Sequence, residues 1–164
     1  MALDKYERVW LTAVGGLIGS FMAALMVAYL IFDIRLPTFE ARVDPANLNS
    51  TMFADLGVKK RGENKYDVVM LAKMWVFDAG KDGGNPGVPP VIRVPRGSRV
   101  TFYVTSLDVT HGVYVEDHSI NLEIVPGQIA RQSIPFNRPG EFRIICNQYC
   151  GAAHQGMYGT IVVE

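Results

Sequence analysis

The pattern of hydrophobic and polar positions divides the chain into an apolar N-terminal part and a longer part of short alternating runs. Between Val9 and Phe32 the sequence VWLTAVGGLIGSFMAALMVAYLIF contains no charged side chain. As an α-helix rising about 1.5 Å per residue, this run would be about 36 Å long. That length exceeds the hydrocarbon core of a bilayer, which is about 30 Å thick. The pattern therefore predicts a membrane-spanning helix.

Two other interpretations of the apolar run are weaker. A cleavable signal peptide has an apolar region of about 7 to 15 residues that ends in small residues, whereas this run ends in Phe32-Asp33-Ile34-Arg35. A buried helix of a soluble protein is also disfavoured, because about 20 apolar residues without a polar face are typical of a membrane span. We therefore expect a retained anchor. Two bases lie on each side of it, so the charge rule for topology does not fix its orientation.

The region after the apolar run has a different character. Residues 33–64 mix Pro37, Pro45 and charged side chains without a sustained helical period, which predicts a connector with one short helical turn. We accordingly expect three parts. These are an N-terminal flank with a single helix in residues 1–35, a connector in 36–64 and a folded domain in 65–164.

From Tyr66 onward, β-rich runs alternate with turn residues. In the run Val100–Val104 the first, third and fifth side chains share one face, as in a half-buried strand. The glycine-rich residues 79–87 are predicted to form a long loop. Strands are predicted at Tyr66–Leu71, Val91–Val94, Val100–Thr105, Asn121–Ile124, Ile129–Ile134, Glu141–Cys146 and Gly159–Val163. Strands and turns this frequent predict an all-β sandwich of about 100 residues.

Composition and charge exclude several classes of protein. The chain is 49% hydrophobic and 20% charged, with two cysteines, which argues against a disordered tail, a collagen-like chain and a cystine-rich scaffold. Lys and Arg together number 16, as do Asp and Glu. Without a basic excess, a nucleic-acid partner is not expected.

The residues with metal-binding chemistry are concentrated near the C-terminus. The segment Cys146–Met157, with the sequence CNQYCGAAHQGM, contains both cysteines, His154 and a methionine between the last two predicted strands. A loop that joins two adjacent strands can direct these side chains to one point. His111 follows the predicted strand Val100–Thr105. Two thiolates, two imidazoles and a thioether form a soft ligand set that favours copper.

Alternatives to a copper site remain open from the residues alone. The cysteines could form a disulfide if the domain lies outside the cytoplasm. They could also hold a structural zinc together with two histidines, although zinc leaves Met157 without a role. A mononuclear blue-copper site needs two His, one Cys and a weak axial Met, which leaves one cysteine over. Two sulfurs that bridge two copper ions would use both cysteines.

The arrangement of His111 with Cys146-x3-Cys150-x3-His154-x2-Met157 resembles subunit II of the haem-copper cytochrome c oxidases, which carries the dinuclear CuA centre. The single anchor and the segment IICNQYCG at 144–151 are similar to the B-type branch of that family. The resemblance implies an all-β, cupredoxin-like Greek-key sandwich preceded by one N-terminal transmembrane α-helix.

The resemblance also implies a ligand set for two copper ions. In it the two cysteines bridge the ions, each histidine binds one ion, and the methionine and a backbone carbonyl are weak ligands. The corresponding residues here are His111, Cys146, Gln148 through its carbonyl, Cys150, His154 and Met157. The family often has Glu where Gln148 stands, and that Glu helps to bind magnesium, so no magnesium ligand is carried over. His118 matches nothing in the pattern and is expected on the surface.

The function implied by the resemblance is electron transfer within a larger enzyme. Electrons would pass from a cytochrome c-type donor through CuA to the haem and copper sites of subunit I, where oxygen is reduced to water and protons are pumped. This chain carries no catalytic residue in that scheme. Its partners would be subunit I, a small additional membrane subunit and the donor. The expected location is the plasma membrane of a prokaryote, with the N-terminus cytoplasmic and the copper domain on the periplasmic side.

Two further residues receive roles from the resemblance. Trp75 falls where the family places an aromatic residue close to CuA on the donor-docking face, so it is a candidate for the point where electrons enter. Glu7, just before the charge-free run, stands where the B-type branch has a carboxylate at the cytoplasmic mouth of the proton channel. Two other functions remain open, a free-standing membrane-anchored copper electron carrier and a copper-binding assembly factor.

Overall fold

The charge-free run forms helix α1, Lys5–Phe32, in a computed structural model that describes residues 4–32, 37–82 and 88–164. Asp4 caps the helix, because its Oδ1 accepts hydrogen bonds from the backbone N–H groups of Tyr6 and Glu7. The Glu7 side chain accepts one in return from the Asp4 N–H, at 3.1 Å, which completes a capping box. The helix is long and apolar enough to cross a membrane.

The chain separates into two compact units, Met1–Arg35 and Leu36–Glu164. The second unit is built from two β-sheets. Its strands are β1 Thr38–Arg42, β2 Gly57–Gly62, β3 Lys65–Lys73, β4 Val76–Asp78, β5 Val91–Val94, β6 Ser98–Ser106, β7 His111–Val115, β8 Ile120–Ile124, β9 Gln128–Phe136, β10 Gly140–Ile145 and β11 Tyr158–Val163. Short 3-10 helices lie at Leu48–Ser50, Met52–Ala54, Gly80–Asp82 and His154–Gly156.

The first sheet has the order β1-β9-β6-β3-β2, with β4 paired to β3, and the second has the order β5-β11-β10-β7-β8. Most neighbouring strands are antiparallel, but β3 with β6 and β5 with β11 are parallel. Alternation along β6 buries Val100, Phe102 and Val104. These side chains share one core with residues such as Ile144 and Ile161 of the second sheet. The predicted all-β sandwich is confirmed, and each predicted strand overlaps an observed one.

The region predicted as a connector contains two β-strands. Residues 36–64 contain β1 and β2, of which β1 pairs with β9 and β2 pairs with β3. All side chains of β1 are exposed, so its sequence has no alternation of buried and exposed positions to mark it as a strand. These segments owe their strand structure to the sheet edges that they cover. Part of the predicted glycine-rich loop, 83–87, and residues 33–36, which follow the apolar run, lie outside the described residues.

Candidate metal centre

The segment between β10 and β11 forms a closed loop at one end of the second sheet. The backbone N–H of Cys146 donates to the carbonyl oxygen of Met157 at 3.1 Å, directly after the last paired residues of the two strands, Ile145 and Tyr158. Strand β7 pairs with the other edge of β10. This pairing places His111, the first residue of β7, beside the loop.

The two cysteine sulfurs lie at the centre of the loop, 3.7 Å apart. A disulfide bond would need about 2.05 Å, and both cysteines are free and buried. Each sulfur has its own imidazole. Cys146 Sγ lies 3.9 Å from His111 Nδ1, and Cys150 Sγ lies 3.5 Å from His154 Nδ1.

Each sulfur also has a second, weaker donor close by. The carbonyl oxygen of Gln148 is 3.3 Å from Cys146 Sγ, and Met157 Sδ is 3.9 Å from Cys150 Sγ. The structure therefore brings all six residues of the predicted ligand set into one cluster, in two groups of three. His111, both cysteines and Met157 are buried, and His154 is half-buried. The soft donors and their burial fit copper.

Hydrogen bonds favour a thiolate at Cys146. Burial opposes ionisation of this thiol, but hydrogen bonds from His111, from the N–H groups of Gly112 and Gln148, and from Cys150 outweigh it. They hold the pKa of Cys146 well below its usual range. Burial and the neighbouring Cys146 raise the pKa of Cys150. Two negative sulfurs this close would repel each other, so a bound cation is what would allow both to ionise.

A carboxylate that the sequence did not single out orients His111. The His111 Nε2–H donates to Asp108 Oδ1 at 2.8 Å, which leaves Nδ1 directed at Cys146. Asp108 also accepts hydrogen bonds from the N–H groups of Met74 and Val109, each at 2.7 Å. Burial of Asp108 is outweighed by these bonds, which lower its pKa. Metal-binding histidines usually donate their other N–H to such a group. The carboxylate three residues before His111 could therefore have been predicted from the sequence as its partner.

Trp75 reaches from the protein surface to the backbone of the loop. Its side chain is 40% exposed, and its indole Nε1–H donates to the carbonyl oxygen of Cys150 at 3.0 Å. Gly151 permits this contact, because a Cβ there would lie only 3.0 Å from the indole nitrogen. The φ angle of Gly151, 116°, is also one that glycine adopts far more readily than other residues. The exposed side chain of Met74 precedes Trp75.

The remaining predicted residues lie outside the cluster. Glu7 belongs to the capping box of α1. His118 was expected on the surface, but it is half-buried between the rings of Phe136 and Phe142, with centroid distances of 4.4 Å to each. Its Nδ1–H donates to the carbonyl oxygen of Glu116 at 2.9 Å. His118 thus packs against the core at the end of the β7–β8 hairpin.

Comparison with known sequences places the chain in a family. Residues 63–164 match the profile described as cytochrome C oxidase subunit II, periplasmic domain. The chain is 38% identical over 170 residues to a cytochrome c oxidase subunit 2 of Thermus thermophilus, covering 99% of this chain and 94% of that protein. A second cytochrome c oxidase subunit 2 of Thermus thermophilus is 43% identical over 126 residues, covering 75% and 86% of the two chains.

Solved structures agree in fold. A chain from a heme-copper terminal oxidase dimer, determined by cryo-EM, superposes with a TM-score of 0.77 at 31% identity, covering 98% of this chain and 100% of that one. A rusticyanin variant superposes with a TM-score of 0.55 at 17% identity over 77% of this chain and 98% of that one, which shows a cupredoxin-like fold. This chain belongs to the cytochrome c oxidase subunit II family, and it is a membrane-anchored subunit of a haem-copper oxidase, an oxidoreductase complex.

Proposed function

We propose that this chain is the electron-accepting subunit of a terminal cytochrome c oxidase. It takes electrons from a cytochrome c-type donor at a dinuclear CuA centre and passes them to the haem and copper sites of subunit I, where oxygen is reduced to water with proton pumping. The observation that carries the proposal is the pair of sulfurs 3.7 Å apart. Each has its own imidazole nitrogen and its own weak donor, as two equivalent metal positions require.

In this proposal both cysteines would hold the copper ions as thiolate ligands. His111 and His154 would each bind one ion through Nδ1, and Met157 and the Gln148 carbonyl would be weak ligands. When bound, the copper pair supplies a one-electron redox couple. The fit rests on the number and softness of the donors, because a mononuclear site would leave one buried cysteine without a role.

The surrounding residues fix the donors and keep water away. The pairing of β10 with β11 holds the two ends of the loop together, and burial of both cysteines removes them from solvent. Asp108 holds the His111 ring through Nε2. Rigid donors lower the cost of changing oxidation state, since they need not rearrange. Burial of the sulfurs also disfavours an assembly factor, which must exchange its copper readily.

Trp75 is the proposed point where electrons enter, because its exposed ring is hydrogen-bonded to the backbone of Cys150. Glu7 is the proposed proton-collecting carboxylate, which requires a cytoplasmic N-terminus and a periplasmic copper domain in a prokaryotic plasma membrane.

Subunit I is the principal partner, and a small additional membrane subunit is included in the proposal. The single apolar helix and the segment 144–151 support membership of the B-type branch. The folded copper domain would begin near residue 37, since β1 and β2 complete its first sheet.

The deciding experiment uses the full-length chain, purified in detergent and loaded with copper. We expect two copper ions per chain, an EPR spectrum of one electron shared between two copper nuclei, and rapid reduction by a reduced cytochrome c. One copper ion per chain, or zinc in its place, would refute the dinuclear site. Purification from native membranes should recover haem with the chain, and a haem-free chain would favour a free-standing carrier.

A further inference from the structure

The loop is attached to the neighbouring hairpin by the side chain of Asn147, the residue between Cys146 and Gln148. Its Nδ2 donates a hydrogen bond to Oδ1 of Asn121 on β8, at 2.9 Å. Its Oδ1 lies directly over Gly112 on β7. A Cβ at Gly112 would overlap that oxygen and would lie 2.9 Å from the backbone nitrogen of Gln148. The bare backbone of Gly112 is therefore what allows Asn147 to occupy this place.

Asn121 is in turn attached to the other sheet. Gln132 on β9 is only 4% exposed. Its Nε2 donates to the carbonyl oxygen of Ser119 at 2.6 Å, and its Oε1 accepts from the N–H of Asn121 at 3.3 Å. A buried amide is costly to leave without partners, so these bonds hold the start of β8 against β9.

Together these contacts form a continuous connection from the first sheet to the metal loop. We propose that Gln132, Asn121 and Asn147, here called the amide brace, position the Gln148 carbonyl relative to Cys146. This inference rests on the proposed function, in which that carbonyl is a weak copper ligand. The carbonyl oxygen lies 3.3 Å from Cys146 Sγ, and the two groups are separated in the chain by Asn147 alone.

The fold does not need the exposed end of the brace. The loop is already closed by the hydrogen bond from Cys146 to Met157 and by the pairing of β10 with β11. Asn121 and Asn147 are both exposed, and an exposed hydrogen bond adds little to stability. A weak ligand, by contrast, tunes the reduction potential of a copper site. The brace should therefore affect the copper spectrum and potential more than it affects unfolding.

The test compares Asn121→Ala, Asn147→Ala and the double variant in the copper-loaded full-length chain. Each single substitution should shift the EPR hyperfine pattern and the reduction potential in the same direction. Neither should change the number of copper ions bound, because a weak ligand tunes the potential more than it holds the metal. The double variant should be no worse than the stronger single one, because both remove the same link.

The matched control is Asn137→Ala in the turn between β9 and β10. Asn137 is also exposed, and its contact with Arg96 uses its backbone carbonyl, which alanine retains. The copper EPR spectrum and reduction potential of Asn137→Ala should equal those of the wild type. Gly112→Ala is a harsher variant, since its Cβ would press on both the Asn147 side chain and the backbone nitrogen of Gln148. It should shift the spectrum at least as far as Asn147→Ala does.

The failures of the two proposals are distinguishable. If the wild type binds no copper pair, the proposed function fails and the brace fails with it. If the wild type binds the pair but Asn121→Ala keeps its spectrum and potential, the brace alone is overturned. The same holds if the variants lower the unfolding temperature without changing the potential, because the contacts would then have a purely structural role.

Discussion

The indole nitrogen of Trp75 donates a hydrogen bond to the carbonyl oxygen of Cys150 at 3.0 Å. This single bond joins an exposed aromatic ring to the backbone of a residue that carries one of the two central sulfurs. Gly151 makes this contact possible, because it has no side chain to collide with the indole ring. The bond therefore offers a short route between the surface and the proposed copper pair.

Substitutions at Trp75 separate the roles of its surface and its N–H group. Trp75→Ala should slow reduction of the copper by a reduced cytochrome c about tenfold, which corresponds to about 1.4 kcal/mol in the activation free energy. Trp75→Phe keeps an aromatic surface but loses the hydrogen bond, so its rate should be intermediate. Stopped-flow absorption at equal copper content measures both. If Trp75→Ala reacts at the wild-type rate, electrons enter elsewhere.

The second cysteine is predicted to determine the number of copper ions. Cys150→Ser should lower the copper content from two ions per chain to one or none, because the hydroxyl cannot bridge as a thiolate does. Met157→Leu should keep both ions and change only the reduction potential, since a thioether is a weak ligand. Metal analysis and EPR give the result. Retention of two ions in the serine variant, or loss of all copper in the leucine variant, would contradict these roles.

Asp108 is predicted to act on copper binding through His111. Asp108→Ala leaves the His111 Nε2–H without its carboxylate partner, and we expect about 10- to 100-fold weaker copper binding. Asp108→Asn retains an oxygen that can accept from His111, so its loss should be smaller. Competition with a chelator of known affinity measures both variants, and circular dichroism checks the fold. Equal affinities in all three proteins would show that Asp108 does not orient the histidine.

Glu7 must be tested in a way that separates its charge from its role in the capping box. Glutamine can also bond back to the N-cap residue, so Glu7→Gln removes the charge and keeps the cap, whereas Glu7→Ala removes both. In the assembled oxidase we expect Glu7→Gln to lower steady-state oxygen consumption severalfold with normal copper and haem spectra. Asp4→Asn is the control, because it removes a nearby charge and keeps a good N-cap. Wild-type turnover in Glu7→Gln would rule out the proton-collecting role.

His118 makes stability depend on pH. Burial, which is the largest effect, lowers the pKa of His118 below its usual value of 6.5. The unfolded chain therefore binds a proton at this residue before the folded chain does, as the pH falls below about 6.5. The contribution of His118 to the free energy of unfolding is complete above that pH and is lost as the pH falls towards the pKa of His118 in the folded chain.

The comparison with His118→Phe isolates this contribution. Phenylalanine keeps the ring packed against Phe136 and Phe142 but cannot take up a proton. Between about pH 7.5 and 5.5, the unfolding temperature of the wild type should fall more than that of the variant, with both chains copper-loaded. Parallel curves would show that His118 does not contribute to acid sensitivity.

The sequence was sufficient to predict the apolar helix, the sandwich and the donors of the loop, because each depends on local pattern, whereas the role of His111 came from the family resemblance. Four donor side chains lie within the twelve residues from Cys146 to Met157 in a hairpin loop, so their proximity follows from loop closure. The edge strand β1 was missed because its exposed side chains show no alternation. It becomes a strand only by pairing with β9, about 90 residues later in the chain.

The residues that surround the donors were also beyond the reach of local pattern. Asn147 and Asn121 meet across 26 residues of sequence, and nothing in either segment indicates the other. The hydrogen bond of Trp75 spans 75 residues. Asp108 is the exception, since it lies close to His111 in the chain and carboxylates commonly support metal-binding histidines.

The separation of His111 from the cysteine loop has a consequence for the order of events in folding. Four side chains of the donor set and the Gln148 carbonyl arrive together when β10 and β11 form their hairpin. His111 stands 35 residues before Cys146 and joins them only when β7 pairs with β10, a step that closes a longer loop and is correspondingly slower. A chain that has formed only the hairpin presents its two thiols without their second imidazole. The complete donor set therefore exists only in the folded domain and not in a chain that has formed the hairpin alone.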